Sequence, residues 1–259
     1  MFRILIYLLA AYGLLVIYAY FFSDYKIFPV PDSSYRDSSR IIKIKVSDKN
    51  KISAIYFPNK KATYTILFSH GNALDIGMIV PSLLEFQSHG FSVFSYDYEG
   101  YGTSEGKPTE AHAYEDAYAA YRYLTQILHI PPKHIIVYGH SLGAAMAVEL
   151  AANKPVAGVI LESPFLTAFR TATQIPLVPF DKFNNLEKIK KIRVPILVIQ
   201  GKEDDVVPFW QGQYLYHQAN SPKFFLWVDH ANHSDVALVA GKVYWQTIND
   251  FVKQNLRQP

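Results

Sequence analysis

Short continuous apolar runs alternate along the chain with longer stretches in which apolar positions recur every third or fourth residue. The runs at 63–68, 91–96, 135–138, 157–161, 194–200 and 224–228 carry few polar positions, the pattern of strands buried on both faces. Helical spacing marks 81–89, 110–128, 210–218, 236–255 and the stretch that follows Ser141. In 110–128, Tyr114, Ala117, Tyr118, Tyr121, Leu124 and Leu128 share one face behind the cap residue Thr109. The 81–89 helix is expected to carry Pro81 in its first turn and to close at Gly90. Segments 41–46 and 52–57 alternate in part around Asp48-Lys49-Asn50 and predict an opening antiparallel hairpin. Strand and helix in repeated alternation predict an α/β fold: a mostly parallel central sheet with helices on both faces.

Three segments stand outside that alternation. Residues 4–22 are apolar over a membrane-spanning length, between Arg3 and the pair Asp24 and Lys26, with tyrosines toward both ends. No small-x-small cleavage site follows, so the segment is expected to be an uncleaved N-terminal transmembrane helix. Arg3 and the α-amino group favour a cytosolic N-terminus, so the folded domain is expected on the non-cytosolic side. Residues 23–40, polar and holding Pro29 and Pro31, read as a linker. The expected division is an anchor at 1–22, the linker at 23–40 and one folded domain at 41–259. Residues 163–191 form a long irregular apolar excursion between two strands, too short for a domain and expected to act as a lid. Its Phe165, Phe169 and Phe180 are candidates for holding an apolar part of a substrate.

Composition narrows the chemistry. A chain of 259 residues with 50% hydrophobic and 18% charged residues suits one large globular domain. Net charge +3 is too mild and too dispersed for nucleic-acid binding. With 0 cysteines the chain has no disulfide, thiol nucleophile or thiolate metal site.

In a parallel sheet the reactive residues belong at the carboxyl ends of strands. The run 135–138 leads into Gly139-His140-Ser141-Leu142-Gly143 and then a small-residue helix. This is the pattern of a sharp strand-to-helix turn that lifts a serine hydroxyl above the sheet. The alternative is a plain N-cap serine. Strand 63–68 leads into His70-Gly71-Asn72, where the Asn72 N–H, with that of Leu142, could meet an oxyanion; His70 reads as structural. Strand 194–200 leads into Gly201-Lys202-Glu203-Asp204-Asp205, where any of the three carboxylates could orient a histidine. The last strand leads to His230 and His233, either of which could serve as general base, with Asp235 as a helix cap. No histidine–carboxylate spacing completes a zinc site.

Ser69-His70-Gly71-Asn72-Ala73, the turn from Asp97 to Ser104, Gly139-His140-Ser141-Leu142-Gly143, the 201–208 segment and His233-Ser234-Asp235 together resemble the α/β-hydrolase superfamily. The likeness is to the membrane-associated serine hydrolases and protein depalmitoylases, and to the serine aminopeptidase-like (lysophospholipase-like) hydrolases. It implies a catalytic set of Ser141, Asp204 and His233, with Asp204 picked out by standing four residues before Pro208. It also implies an architectural role for Asp97, an oxyanion hole from Asn72 and Leu142, and no cofactor or metal. The expected substrate is a small-molecule or lipid acyl ester or thioester. His230 and Asn232 replace glycines usual before that family's histidine, which keeps His230 as a second candidate; Ala144 replaces another glycine. A serine aminopeptidase-like peptidase would need an anionic pocket, for which Glu99, Glu162 and Asp181 are available. A catalytically idle anchored binding protein has no chemical need for all three residue types.

Overall fold

The computed structural model describes residues 2–47, 50–173 and 175–256. β1 (Ile42–Lys45) and β2 (Lys51–Phe57) form the expected antiparallel hairpin, pairing Ile44 with Ile52. Of its turn, Asp48 and Lys49 lie outside the described residues. β2 runs antiparallel to β4 (Ser92–Tyr96). β3 (Thr65–Ser69), β5 (Ile135–His140), β6 (Gly158–Glu162), β7 (Ile196–Gly201) and β8 (Lys223–Val228) continue the sheet in parallel. The order is β1-β2-β4-β3-β5-β6-β7-β8. Because every strand from β4 onward points the same way, the loops after β3, β5, β7 and β8 gather along one edge.

Successive side chains on a strand face opposite ways, and here each way leads into an apolar layer. Leu67, Val137, Val159 and Val198 pack with α3 (Glu110–Arg122), α4 (Leu142–Asn153) and α7 (Phe209–Gln218). Ile66, Ile136, Ile160 and Leu197 pack with α2 (Ile76–Ser88) and α9 (Lys242–Asn255). Cover on both faces is why the central strands read as unbroken apolar runs rather than alternating ones.

Three of the helices packed on the sheet differ from their sequence patterns. α2 starts at Ile76, because Asp75 is a better start signal than Pro81. The Asp75 carboxylate accepts the Met78 N–H at 3.0 Å, a cap of about 1 kcal/mol. Pro81 therefore lies inside the helix, and Ile76, Ile79, Leu83 and Phe86 form the buried stripe. α3 keeps its Thr109 cap but passes after Arg122 into a π-helical turn, Tyr123–Ile127. The closing helix is broken at Gly241, whose φ of +53° ends α8 (Val236–Ala240) and restarts the chain as α9. The excursion between β6 and β7 contains α5 (Ala168–Thr173) and α6 (Asn185–Lys188).

The N-terminal helix α1 (Phe2–Ile27) outruns the expected 4–22 span, and residues 23–40 are docked rather than free. Lys182 Nζ forms an ion pair with Asp24 Oδ1 at 2.6 Å. Phe28 is buried against the rings of Tyr101 and Phe183, worth about 1.5–3 kcal/mol. The Ser34 N–H donates to Asp75 at 2.6 Å, and the Tyr35 hydroxyl to Asp97 Oδ2 at 2.5 Å. Burial, then the Asp97 charge, push the Tyr35 hydroxyl well above its ordinary pKa, so it stays a donor.

Asp97 is fully buried. Besides Tyr35 it accepts the Ile76 N–H at 2.8 Å and lies 3.2 Å from His70 Nε2. One carboxylate thus ties the 23–40 segment, the start of α2 and the loop after β3 together. Asp97→Ala is expected to cost about 2–4 kcal/mol of stability, by stranding buried donors. Denaturant unfolding in detergent checks this; a loss below about 0.5 kcal/mol would remove the architectural role.

Candidate active site

The turn after β5 is set by sterics. Ser141 holds φ 53° and ψ −117°, a conformation costly for a residue with a side chain. A Cβ on Gly143 would stand 1.9 Å from the Ser69 carbonyl oxygen, and one on Gly139 2.2 Å from the Gly143 carbonyl oxygen. Only glycine lets strand and helix meet this closely. Ser141 occupies the N-cap position of α4 but makes no side-chain cap. Its Oγ lies 2.9 Å from His233 Nε2 instead.

His233 Nδ1 in turn lies 2.9 Å from Asp204 Oδ2 and 3.0 Å from Oδ1. All three side chains are at least nine-tenths buried as residues. The carboxylate turns inward because Asp204 Oδ1 accepts the backbone N–H groups of Val206 at 3.0 Å and Val207 at 2.7 Å. Burial pushes the Asp204 carboxyl up, but the His233 hydrogen bond and charge and the two amides outweigh it and hold its pKa below the ordinary value. The competing candidates meet elsewhere: His230 Nδ1 lies 2.9 Å from Glu203 Oε1, both well exposed. Asp205 is exposed too.

Sequence reasoning missed the groups that hold this arrangement. Asn232 Oδ1 accepts the Asp205 N–H at 3.0 Å and the His233 N–H at 2.6 Å, joining the two loops. Asp235 does not cap α8; it accepts the Asn232 N–H at 2.7 Å. Gln200 Nε2 donates to Asp204 Oδ2 at 3.2 Å and to the Val207 carbonyl at 2.8 Å. His140 Nε2 stands 3.2 Å from the His233 carbonyl, which also accepts the Ser163 hydroxyl at 3.3 Å. Burial lowers the His140 pKa, against an opposing pull from Glu162. The one available signal was the Asn232 departure from the glycine of the resembled pattern.

Beside Ser141 opens a cavity of about 230 Å³, lined among others by Asn72, Leu142, Phe165, Phe169 and Val207. Phe180, expected with the other two phenylalanines, does not line it. Its ring stands one layer back, 5.9 Å from Phe169 and 5.8 Å from Tyr20 of α1. No acidic residue is among the described residues lining the cavity. Glu162 accepts the Tyr138 and Tyr244 hydroxyls at 2.8 and 2.6 Å. Glu99 accepts the Asn50 side-chain amide at 3.0 Å, and Asp181 accepts the Thr167 hydroxyl at 2.6 Å.

This parallel sheet, with an antiparallel hairpin at one edge and a serine on a tight strand-to-helix turn, is the architecture of the α/β-hydrolases. Residues 60–184 match the family described as serine aminopeptidase, S33. Alpha/beta hydrolase domain-containing protein 17B of Homo sapiens is 39% identical over 230 residues, covering 86% of this chain and 78% of that protein. The Xenopus tropicalis protein of the same name gives the same values. The chain belongs to the family of these alpha/beta hydrolase domain-containing 17 proteins. Among solved structures, the Pyrococcus furiosus esterase Pf2001 superposes with TM-score 0.75 at 21% identity, over 90% of this chain and 98% of that one. The acylaminoacyl peptidase of Pyrococcus horikoshii gives 0.69 at 14% identity, over 85% and 42%. Both show the fold.

The depressed Asp204 pKa has a consequence for acid stability. Its contribution is complete above the unfolded value of about 3.9 and is lost as pH falls through the lower folded value. Asp204→Asn should therefore flatten the acid limb of a Tm-against-pH curve recorded from about pH 6 to 2. Wild-type and variant curves that stay parallel would contradict it.

Proposed function

We propose that the protein is a membrane-anchored serine hydrolase of carboxylic esters or thioesters, working through an acyl-enzyme on Ser141. One observation carries this: the continuous hydrogen-bonded line Ser141 Oγ, His233, Asp204 beside an apolar cavity. Ser141 Oγ attacks the acyl carbonyl carbon and its proton passes to His233 Nε2. Asp204 holds Nδ1 and stabilises the imidazolium. The carbonyl electron pair becomes an oxyanion facing the backbone N–H groups of Asn72 and Leu142. Leu142 is the first residue of α4, so its N–H has no acceptor within the helix. Each such donor is worth about 3 kcal/mol in the transition state. The C–O or C–S bond then breaks and the leaving alcohol or thiol takes the proton from His233. Water, deprotonated by His233, attacks the acyl carbon, and the carboxylic acid departs with Ser141 regenerated.

The lining favours an apolar acyl group: Phe165, Phe169 and Leu142 face the cavity, and the carboxylates a peptide amine would need are engaged elsewhere. Anchoring rests on the exposed apolar face of α1, whose most hydropathic window has 0% of its residues buried.

Turnover of p-nitrophenyl esters, acyl thioesters and aminoacyl amides by the detergent-solubilised full chain tests the reading. Esters or thioesters should be cleaved well ahead of amides. Ser141→Ala should lower kcat by at least about 10⁴-fold, and Asp204→Asn by about 10²–10⁴-fold. Equal turnover by Ser141→Ala and wild type would end it.

A further inference from the structure

The helix read as an anchor also reaches the cavity beside Ser141. Ser23, Lys26 and Ile27, from the last turn of α1, line it together with Asn72, Ser141 and Leu142. The Asn72 side-chain amide donates to the Ile27 carbonyl at 3.3 Å, tying that turn to the loop assigned above to the oxyanion. Ser23 is 7% exposed, and its hydroxyl oxygen has no hydrogen-bond partner among the described residues. A buried hydroxyl left unsatisfied in a cavity wall is a costly choice, unless something polar comes to meet it.

The position of this turn along α1 adds a second constraint. At about 1.5 Å per residue, the exposed part of the helix ahead of Ser23 is about 30 Å long, the thickness of a bilayer hydrocarbon core. Ser23 to Ile27 therefore fall in the headgroup layer, where an ester or thioester carbonyl of a membrane-inserted acyl chain resides. Apolar contacts run from the helix to the cavity without a break: Tyr20 against Phe180, Phe180 against Phe169, Phe169 in the wall. Val206, at the mouth, leaves half of its surface exposed.

We propose that the last turn of α1 is a wall of the substrate site, along which a long acyl chain on Ser141 passes Ser23 and Ile27. The proposal rests on the serine-hydrolase reading above. The anchor is then part of the specificity machinery, and a soluble short-chain ester uses only part of the site.

The absence of cysteine from the sequence provides the test. Ser23→Cys gives the full chain one thiol, reachable through the cavity by a small thiosulfonate that converts it to a methyl disulfide and releases methanesulfinate. The variant, in phosphatidylcholine nanodiscs, is first treated with a long-alkyl or a methyl fluorophosphonate. Ser141 Oγ bonds to phosphorus, fluoride leaves, and the hydroxyl proton passes to His233. Modification by methyl methanethiosulfonate is then timed by intact mass. The long-alkyl adduct should slow it at least tenfold and the methyl adduct less than threefold. The thiol of Tyr25→Cys, on an exposed position of the same turn, should react equally fast with either adduct. Equal protection, or none, at position 23 would overturn the proposal with the hydrolase reading intact. Failure of both reagents to add mass at Ser141 would instead overturn the hydrolase reading, and the proposal with it; labelling by the methyl reagent alone would overturn only the proposal. In a second measurement, Ser23→Phe should lower the ratio of kcat/KM for hexadecanoyl over butanoyl esters at least tenfold; an unchanged ratio counts against the wall.

Discussion

His233 holds a hydroxyl on one ring nitrogen and a carboxylate on the other, 2.9 Å away in each direction. The rest of the site exists to keep those separations. An imidazole that accepts a proton on Nε2 needs Nδ1 fixed as a donor, or the tautomer is wrong and the base is lost. Asp204 supplies that fixity only because it is itself held. Two backbone amides and the Gln200 side chain converge on its carboxylate, and His233 with the two amides holds its pKa below the ordinary value against the upward push of burial. Ser141 is held by the closeness of α4 to the sheet and by its backbone N–H, which donates to the Glu162 carbonyl at 2.9 Å.

The loop that carries His233 has no regular structure; a backbone bond from the Glu203 N–H to the Ala231 carbonyl at 3.0 Å and a set of side chains place it. Asn232 joins it to the acid loop, Asp235 closes it on itself, and His140 and Ser163 lie against its carbonyl. These contacts link the carboxyl ends of β5, β6, β7 and β8 into one unit. The sheet supplies the gathering of loops; the polar contacts between loops supply the ångström-scale geometry that proton transfer requires.

Much of this was legible in the sequence because the constraint was local. Gly139-His140-Ser141-Leu142-Gly143 after an apolar strand leaves little room for another turn, and the doubly covered sheet writes itself as unbroken apolar runs. Where the constraint was tertiary, the sequence was silent. Residue type alone does not separate the adjacent Glu203, Asp204 and Asp205; the resembled pattern picks Asp204 by its distance from Pro208, and the amides of Val206 and Val207 supply the physical reason that it turns inward. Pro81 drew the start of α2 too late because Asp75, bonded also to Ser34, is a cap whose strength shows only in the fold. Gly241 breaks a helix that periodicity alone would run through. Residues 23–40 looked like a linker because their polarity was visible and their partners, Asp75 and Asp97, were distant in the chain.

The docked segment also changes the meaning of the N-terminal helix. A tether needs only to be apolar and long, whereas α1 ends in an ion pair, a buried phenylalanine and a share of the cavity wall. The proposed function, with the wall inferred from α1, depends on activation of one hydroxyl. The most direct measurement is the second-order rate constant for phosphonylation of Ser141 by a fluorophosphonate, compared between wild type and His233→Ala with folding verified by circular dichroism. Removal of the imidazole should slow the reaction by at least about 10³-fold. Equal rates in the two proteins would mean that the hydroxyl is not activated by His233, and the account would fail.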